Sequence, residues 1–272
     1  MTFDDYKALP FENFSRLKNL MPPRTPAHYK AALETDQEET IDMRLGSGVH
    51  AWSLEGKKFP YAVRPVCNPV EPTDLWHGNK LWCKAWVKAQ TIQWYSPEEE
   101  ERLHRMTKAL DRSDLFQTLL ELCPEREKVV TAELMGLPMK ARLDMAGWWE
   151  GSRLIVDLKK TPDACPRAWG RRAHQMHYDA QMFIYSSLLA MEERLERPPM
   201  VLHAVVEDSD ATPVAIYSVP PEEWASGEEK TANAIKLLRD CREKVEWPGY
   251  TTDSIIAPLW PKYATPDEQL YA

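Results

Sequence analysis

Three apolar runs follow one another between residues 127 and 160: EKVVTAEL, PMKARLDMAGWWEG and RLIVDLKK. Each alternates with period two or is continuously apolar, and turns at Met135-Gly136 and Glu150-Gly151 join them. This pattern predicts three consecutive strands. A long helical stretch then runs from about Arg171 to Glu196, followed by two strand-like runs, PMVLHAVVED and PVAIYSVP, and a helix over PEEWASGEEKTANAIKLLRDCREKVE. The first hundred residues read mostly as proline-punctuated helices: FENFSRLKNL, PAHYKAALE, EETIDMRLGSGVHAWSLEG and the serine-capped SPEEEERLHRMTKAL. Helices first and then a sheet flanked by helices predict an α/β or α+β domain with a helical N-terminal part.

Composition removes several function classes. With 272 residues, 43% hydrophobic and 28% charged, the chain can bury a large core, and no apolar run approaches membrane-spanning length. MTFDDYKALP lacks the basic start and apolar stretch of a secretory signal, so the expected compartment is the cytoplasm. Cysteines 67, 83, 123, 165 and 241 form no C-x-x-C pair or compact cluster, which argues against zinc or iron–sulfur ligation. There is no G-x-x-x-x-G-K-[ST] phosphate loop. A net charge of -8 means that any contact with nucleic acid must be local.

The chemistry concentrates where LIVDLKKT turns from apolar to charged. Alternation along a strand sets Asp157 and Lys159 on one face, and Lys140, Arg142 and Asp144 share a face of the preceding run. If the two strands are antiparallel neighbours, Asp144 and Asp157 lie side by side. Two such carboxylates repel unless a cation sits between them, and a few hard oxygen donors suit Mg²⁺ or Mn²⁺. An ammonium at Lys159 could orient a metal-bound water and offset phosphate charge. A strand ending in solvated charges produces the same triplet, so further residues must decide.

Gly46-Ser47-Gly48-Val49-His50 places a histidine on a helix whose small residues permit a close approach, and Glu133 closes VVTAEL with a carboxylate. His174, Tyr178, Gln181 and Tyr185 are spaced to form one polar helical strip. PRAWGRRAHQMHY carries Arg167, Arg171, Arg172, His174 and His177 with no acid, a candidate surface for phosphates. Trp148, Trp149 and Trp169 are read as packing residues before stacking platforms, because large aromatics mostly fill cores and contacts.

In this order the motifs resemble those of the PD-(D/E)xK nuclease superfamily, and within it the RecE (exonuclease VIII) and RecB-like branch common in phages and prophages. G-x-x-x-H stands at Gly46 to His50, a strand-end Glu at Glu133, R-x-D at Arg142 to Asp144, D-x-K at Asp157 to Lys159 and Q-x-x-x-Y at Gln181 to Tyr185. FSRLKNLMPPRTPAHYKAALE and WPGY look like the family's N-terminal helices and closing segment, extending the similarity over roughly residues 5–263. The resemblance implies a restriction-endonuclease-like core, with a central mixed sheet flanked by helices. It also implies one nuclease domain over 1–272, divided into a helical part (1–125), a catalytic core (126–219) and a C-terminal helix and tail (220–272). Asp144, Asp157 and the Leu158 carbonyl would bind a divalent metal, assisted by His50 and Glu133. Lys159 would position the attacking water, Gln181 and Tyr185 would line the site, and Arg142 and the basic run would meet DNA.

Members of the branch degrade linear double-stranded DNA from the 5′ end, leaving 5′-phosphates. They work with a single-strand annealing protein, often as toroidal oligomers, here a trimer or tetramer. The expected function is therefore a Mg²⁺-dependent 5′-to-3′ exonuclease of phage-type recombination. A structure-specific or single-strand endonuclease of the same fold, and an inert DNA-binding or assembly module, are the alternatives.

Overall fold

The computed structural model describes residues 3–35, 39–54 and 59–250, so the tail beyond 250 lies outside the described residues. In chain order the helices are α1 (Phe3–Ala8), α2 (Phe14–Leu17), α3 (Pro26–Glu34), α4 (Ile41–Leu54), α5 (Leu81–Ala89), α6 (Pro97–Asp111), α7 (Asp114–Leu122), α8 (Pro166–Gln175), α9 (Tyr178–Glu193) and α10 (Pro221–Lys244). The strands are β1 (Tyr61–Val63), β2 (Gln93–Tyr95), β3 (Glu125–Leu134), β4 (Leu137–Trp149), β5 (Ser152–Thr161), β6 (Met200–Glu207) and β7 (Val214–Ser218). Strands β3 to β7 form one sheet in sequence order. All neighbours are antiparallel except β5 and β6, which run parallel across the α8–α9 crossover. Strands β1 and β2 make a separate parallel pair.

Two-residue turns set the register of β3, β4 and β5. Met135 and Gly136 (φ 50° and 73°) and Glu150 and Gly151 (φ 48° and 76°) are all left-handed, the geometry that matches a tight hairpin to strand twist. A core of Val130, Met139, Ile155, Met182, Ile184, Leu188, Ile235 and Leu238 joins the sheet to α9 and α10, and α2 and α3 add Leu17 and Tyr29. A second core places Leu45 and Val49 of α4, Leu103 and Met106 of α6 and Phe116 of α7 against Met145, Val156, Leu158 and Ala204. Helix α6 starts with a reciprocal cap: Glu99 N–H donates to Ser96 Oγ (3.1 Å) and Ser96 N–H to Glu99 Oε2 (2.8 Å). Trp76, Trp82, Trp86 and Trp94 pack edge to face at 5.3–5.7 Å, so this tryptophan-rich segment builds its own aromatic column.

The stretch from Arg171 to Glu196 is not one helix. His177 is left-handed (φ 56°) and separates α8 from α9. No glycine or proline marks the break. It is offset by Trp169 of α8, which packs against Tyr178 (5.6 Å) and Tyr217 (6.0 Å) once the chain turns there. His174 consequently lies on α8, apart from the strip of Tyr178, Gln181 and Tyr185 on α9.

Arg153 anchors the far end of β5. Its side chain is 3% exposed, and it donates to Glu193 Oε1 (2.7 Å), Glu193 Oε2 (2.8 Å), Glu125 Oε1 (2.5 Å) and the Gly147 carbonyl (2.9 Å). Hydrogen bonds from Arg153 and Lys128 hold the Glu193 carboxyl below its usual range. Glu125 is also lowered, because Lys128 and Arg153 outweigh the effect of its burial. A lowered folded-state value means stability that is present above about pH 4.3 and is lost as pH falls through the folded value. Arg153→Met should therefore cost about 2 kcal/mol at pH 7 and flatten the loss of stability between pH 5 and 3, as followed by urea melts.

Candidate active site

The sheet opens at its centre. The β4–β5 ladder ends at Met145–Val156, yet β4 continues toward Leu137 paired with β3, and β5 toward Thr161 paired with β6. Asp144 and Asp157 are the first residues past that ladder, facing each other where the strands part. Leu158 there has no strand partner on the β4 side. Its N–H donates instead to Asp144 Oδ2 (2.8 Å), and its carbonyl accepts from His50 Nε2 (2.7 Å) on α4. The apolar run thus ends in charge because side chains, rather than a strand, complete the backbone hydrogen bonding of β5.

With Nε2 given to that carbonyl, His50 turns Nδ1 toward Asp144 Oδ2, at 3.5 Å. The ring can hold a proton or a metal there, not both. Burial alone would favour the neutral ring, but the Asp144 carboxylate outweighs it and raises His50 above its ordinary value. Burial would likewise raise Asp144, yet His50, Lys159 and the Leu158 N–H hold it below the usual carboxylate range.

The third member of the cluster is Glu127. It lies between the pairs Arg126–Met145 and Lys128–Leu143, directly across from Asp144, with a left-handed backbone (φ 52°) inside a strand. A non-glycine residue in that conformation costs roughly 1–3 kcal/mol and clusters at functional sites. One ligand atom from each of His50, Glu127 and Asp144 falls within 4.8 Å of the others. Two carboxylates and an imidazole at this spacing fit a divalent cation, and two half-buried acids set this close are a reason to have one. Glu133 does not reach this cluster. It pairs with Pro138 beside the hairpin turn, six residues along β3 from Glu127, about 20 Å at strand rise, and is exposed. Glu127→Gln should weaken Mn²⁺ binding at least about 10-fold by calorimetry, whereas Glu133→Gln should leave it unchanged. The reverse result would return the role to Glu133.

Asp157 has other partners. Its Oδ2 contacts Lys159 Nζ (2.5 Å), and Gln181 donates to its Oδ1 (3.4 Å) and to the Tyr185 hydroxyl (3.0 Å). Burial pushes the Asp157 carboxyl up to about 6, with the nearby Asp144 charge adding to burial and Lys159 opposing it. Burial would depress Lys159, but Asp157 above all raises it beyond the ordinary lysine value. Its ammonium lies 4.8 Å from the centre of the Tyr178 ring.

Residues 13–255 match a family described as a PDDEXK-like domain of unknown function (DUF3799). The chain belongs to that PDDEXK-like family. Among solved structures it is similar to a "Putative exonuclease" from Eubacterium rectale, at 14% identity with 96% of each chain covered and a TM-score of 0.65. A structure named SSO0001 is also 14% identical, over 82% of this chain and 93% of that one, at a TM-score of 0.30. No curated protein matches the chain by sequence. The mixed sheet flanked by helices is that of a PDDEXK-like nuclease fold.

The remaining sequence-derived residues of this PDDEXK-like chain are spread around the site. Arg142 contacts Glu127 through Nε (2.7 Å), inside the cluster's surroundings. Arg167, Arg171 and His174 are exposed on α8 and Arg172 is half-buried, and α8 has no acid of its own. Gly46, the first motif glycine, has open space around it. The close approach is at Gly48, to the Tyr95 hydroxyl and Leu103 side chain rather than to another backbone. Among the described residues no helix is long and apolar enough to cross a membrane.

Proposed function

We propose that this PDDEXK-like chain is a Mg²⁺-dependent deoxyribonuclease, a 5′-to-3′ exonuclease on linear double-stranded DNA. The observation that carries the reading is the pairing, at one opening in the sheet, of the His50–Glu127–Asp144 cluster with the Asp157–Lys159 ion pair. The first three side chains would hold the divalent ion, with the second lone pair of the Leu158 carbonyl and a reoriented Asp157 as further donors. A bound Mg²⁺ or Mn²⁺ would supply Lewis acidity and a more acidic water.

The chain's own groups do the rest. Lys159 stays protonated, so it serves as hydrogen-bond donor and positive charge toward a phosphate oxygen and not as the base. Gln181 holds the carboxylate that aims it and is itself steadied by Tyr185. The basic face of α8 would receive the backbone phosphates, which answers the overall negative charge with a local positive surface. Action beside a single-strand annealing protein, as a toroidal trimer or tetramer in a phage-bearing bacterial cytoplasm, belongs to the same proposal.

The test is digestion of linear duplex labelled at the 5′ or the 3′ end, with Mg²⁺ or EDTA, beside a covalently closed circle. Mg²⁺-dependent release of 5′ label first, with the circle intact, is expected. Cutting of the circle would replace the exonuclease by an endonuclease, and no cleavage with any divalent metal would leave a binding module.

A further inference from the structure

Beside the ion pair lies a cavity that the proposed cleavage step does not use. It measures about 220 Å³ and is walled by Trp169, Tyr178, His203 and Tyr217, with Val219 and Pro220 closing one side. His203 is the register partner of Asp157 on β6, and Tyr217 is the partner of His203 on β7, so the cavity continues the site sideways across the sheet. Tyr178 is the shared wall: its ring carries the Lys159 ammonium at 4.8 Å and packs on Trp169 at 5.6 Å. The exposed Gly170 and His174 stand at the rim.

Two polar atoms in the lining lack hydrogen-bond partners among the described residues, His203 Nε2 and Asp179 Oδ1. Both residues are at least nine-tenths buried. Leaving such groups unsatisfied costs roughly 1–3 kcal/mol each, so the cavity is tuned for something that brings hydrogen bonds. The free His203 Nε2 donates or accepts according to the ring's tautomer. The Asp179 oxygen accepts, its other oxygen being taken by Ser226 (2.8 Å) and Lys230 (2.6 Å). An occupant that fits has a flat face for the aromatic walls, a hydrogen-bond donor on its edge for Asp179 Oδ1, and room beside a cation placed for phosphate.

We infer that this cavity receives one unstacked nucleobase of the DNA, next to the phosphate held at Lys159. The inference rests on the nuclease reading and adds a subsite to it. A base seated against an aromatic wall and read through its edge is how proteins that act on an extruded or frayed nucleotide hold it. Here it would fix the register of the strand, setting which phosphodiester reaches the metal cluster.

The experiment measures binding and not cleavage. Fluorescence anisotropy of a blunt duplex, in EDTA and in Ca²⁺, is repeated with a single abasic residue placed at each of the terminal positions of either strand in turn. One position should raise Kd about 10-fold, the loss of one base contact, while its neighbours change little. Trp169→Leu and the cavity-filling Ala173→Trp should each weaken binding of the intact duplex to that level and erase the difference, and a melting curve would show which variant is folded. All abasic substitutions within twofold of the intact duplex, or no duplex binding in either buffer, would overturn the inference. Base discrimination without cleavage in Mg²⁺ would instead overturn the nuclease reading and leave the subsite standing.

Discussion

Replacing Lys159 by methionine should lower the rate of Mg²⁺-dependent DNA cleavage by at least about 10³-fold without abolishing metal binding. The magnitude follows from removing a pre-placed positive charge in a water-poor site, where one such donor is worth about 10²–10³ in turnover and a full charge more. The separation of the two readouts follows from geometry. Lys159 touches Asp157 and lies over Tyr178, whereas the cluster of His50, Glu127 and Asp144 is built without it. Loss of the ammonium also strands a nearly buried Asp157, whose carboxyl should then be still harder to ionise, so the variant's residual cleavage should need higher pH. Lys159→Arg should rescue little, because a planar fork does not fit the space of a compact ammonium. A single-turnover assay with a metal titration measures both quantities. Cleavage within tenfold of the parent would reject the role given to Lys159, and loss of cleavage with loss of metal binding would move Lys159 into the metal site.

The facing of Asp144 and Asp157 was legible in the sequence because two facts suffice for it, the period of two along a strand and the turn at Glu150-Gly151. The same counting held the answer for the acid on β3. From a two-residue turn at Met135-Gly136, Glu127 falls opposite Asp144 and Glu133 opposite Pro138. Glu133 attracts attention because it ends an apolar run, but position along a strand is set by the hairpin and not by where hydrophobicity stops. The backbone of Glu127 could not have been foreseen, since a left-handed glutamate has no local signature and is held by the packing around it. The break at His177 is of the same kind. Helical periodicity continues through it unaltered, and only the tertiary contacts of Trp169 with Tyr178, His203 and Tyr217 offset the cost of turning there. The cavity those rings enclose was hidden for the same reason, because its walls come from β6, β7, α8 and α9 and share no spacing in the chain.

Gly147→Ala should be among the most destabilising single-methyl additions in the chain, lowering stability by about 3 kcal/mol and the melting temperature by roughly 6–12 °C. Gly147 lies on β4 where the end of α7 crosses it. A Cβ there would sit 1.9 Å from the Leu122 carbonyl oxygen and 2.4 Å from the Cys123 Cα. Both are backbone atoms, so no rotamer change relieves the overlap and α7 must move off the sheet. That movement would loosen Phe116 and Leu119 from the core shared with Met145, and it would shift the Gly147 carbonyl that Arg153 holds. Asp144 is three residues along the same strand, so cleavage should fall even at temperatures where the variant is folded. Gly46→Ala supplies the control: nothing lies within 4 Å of the added methyl, the position is helical, and a gain of about 0.5–1 kcal/mol is expected. Thermal melts of the two variants beside the parent would decide it. Equal stability for both would mean that α7 does not press on β4 as described, and that the parting of β4 from β5 at Asp144 is not braced from this side.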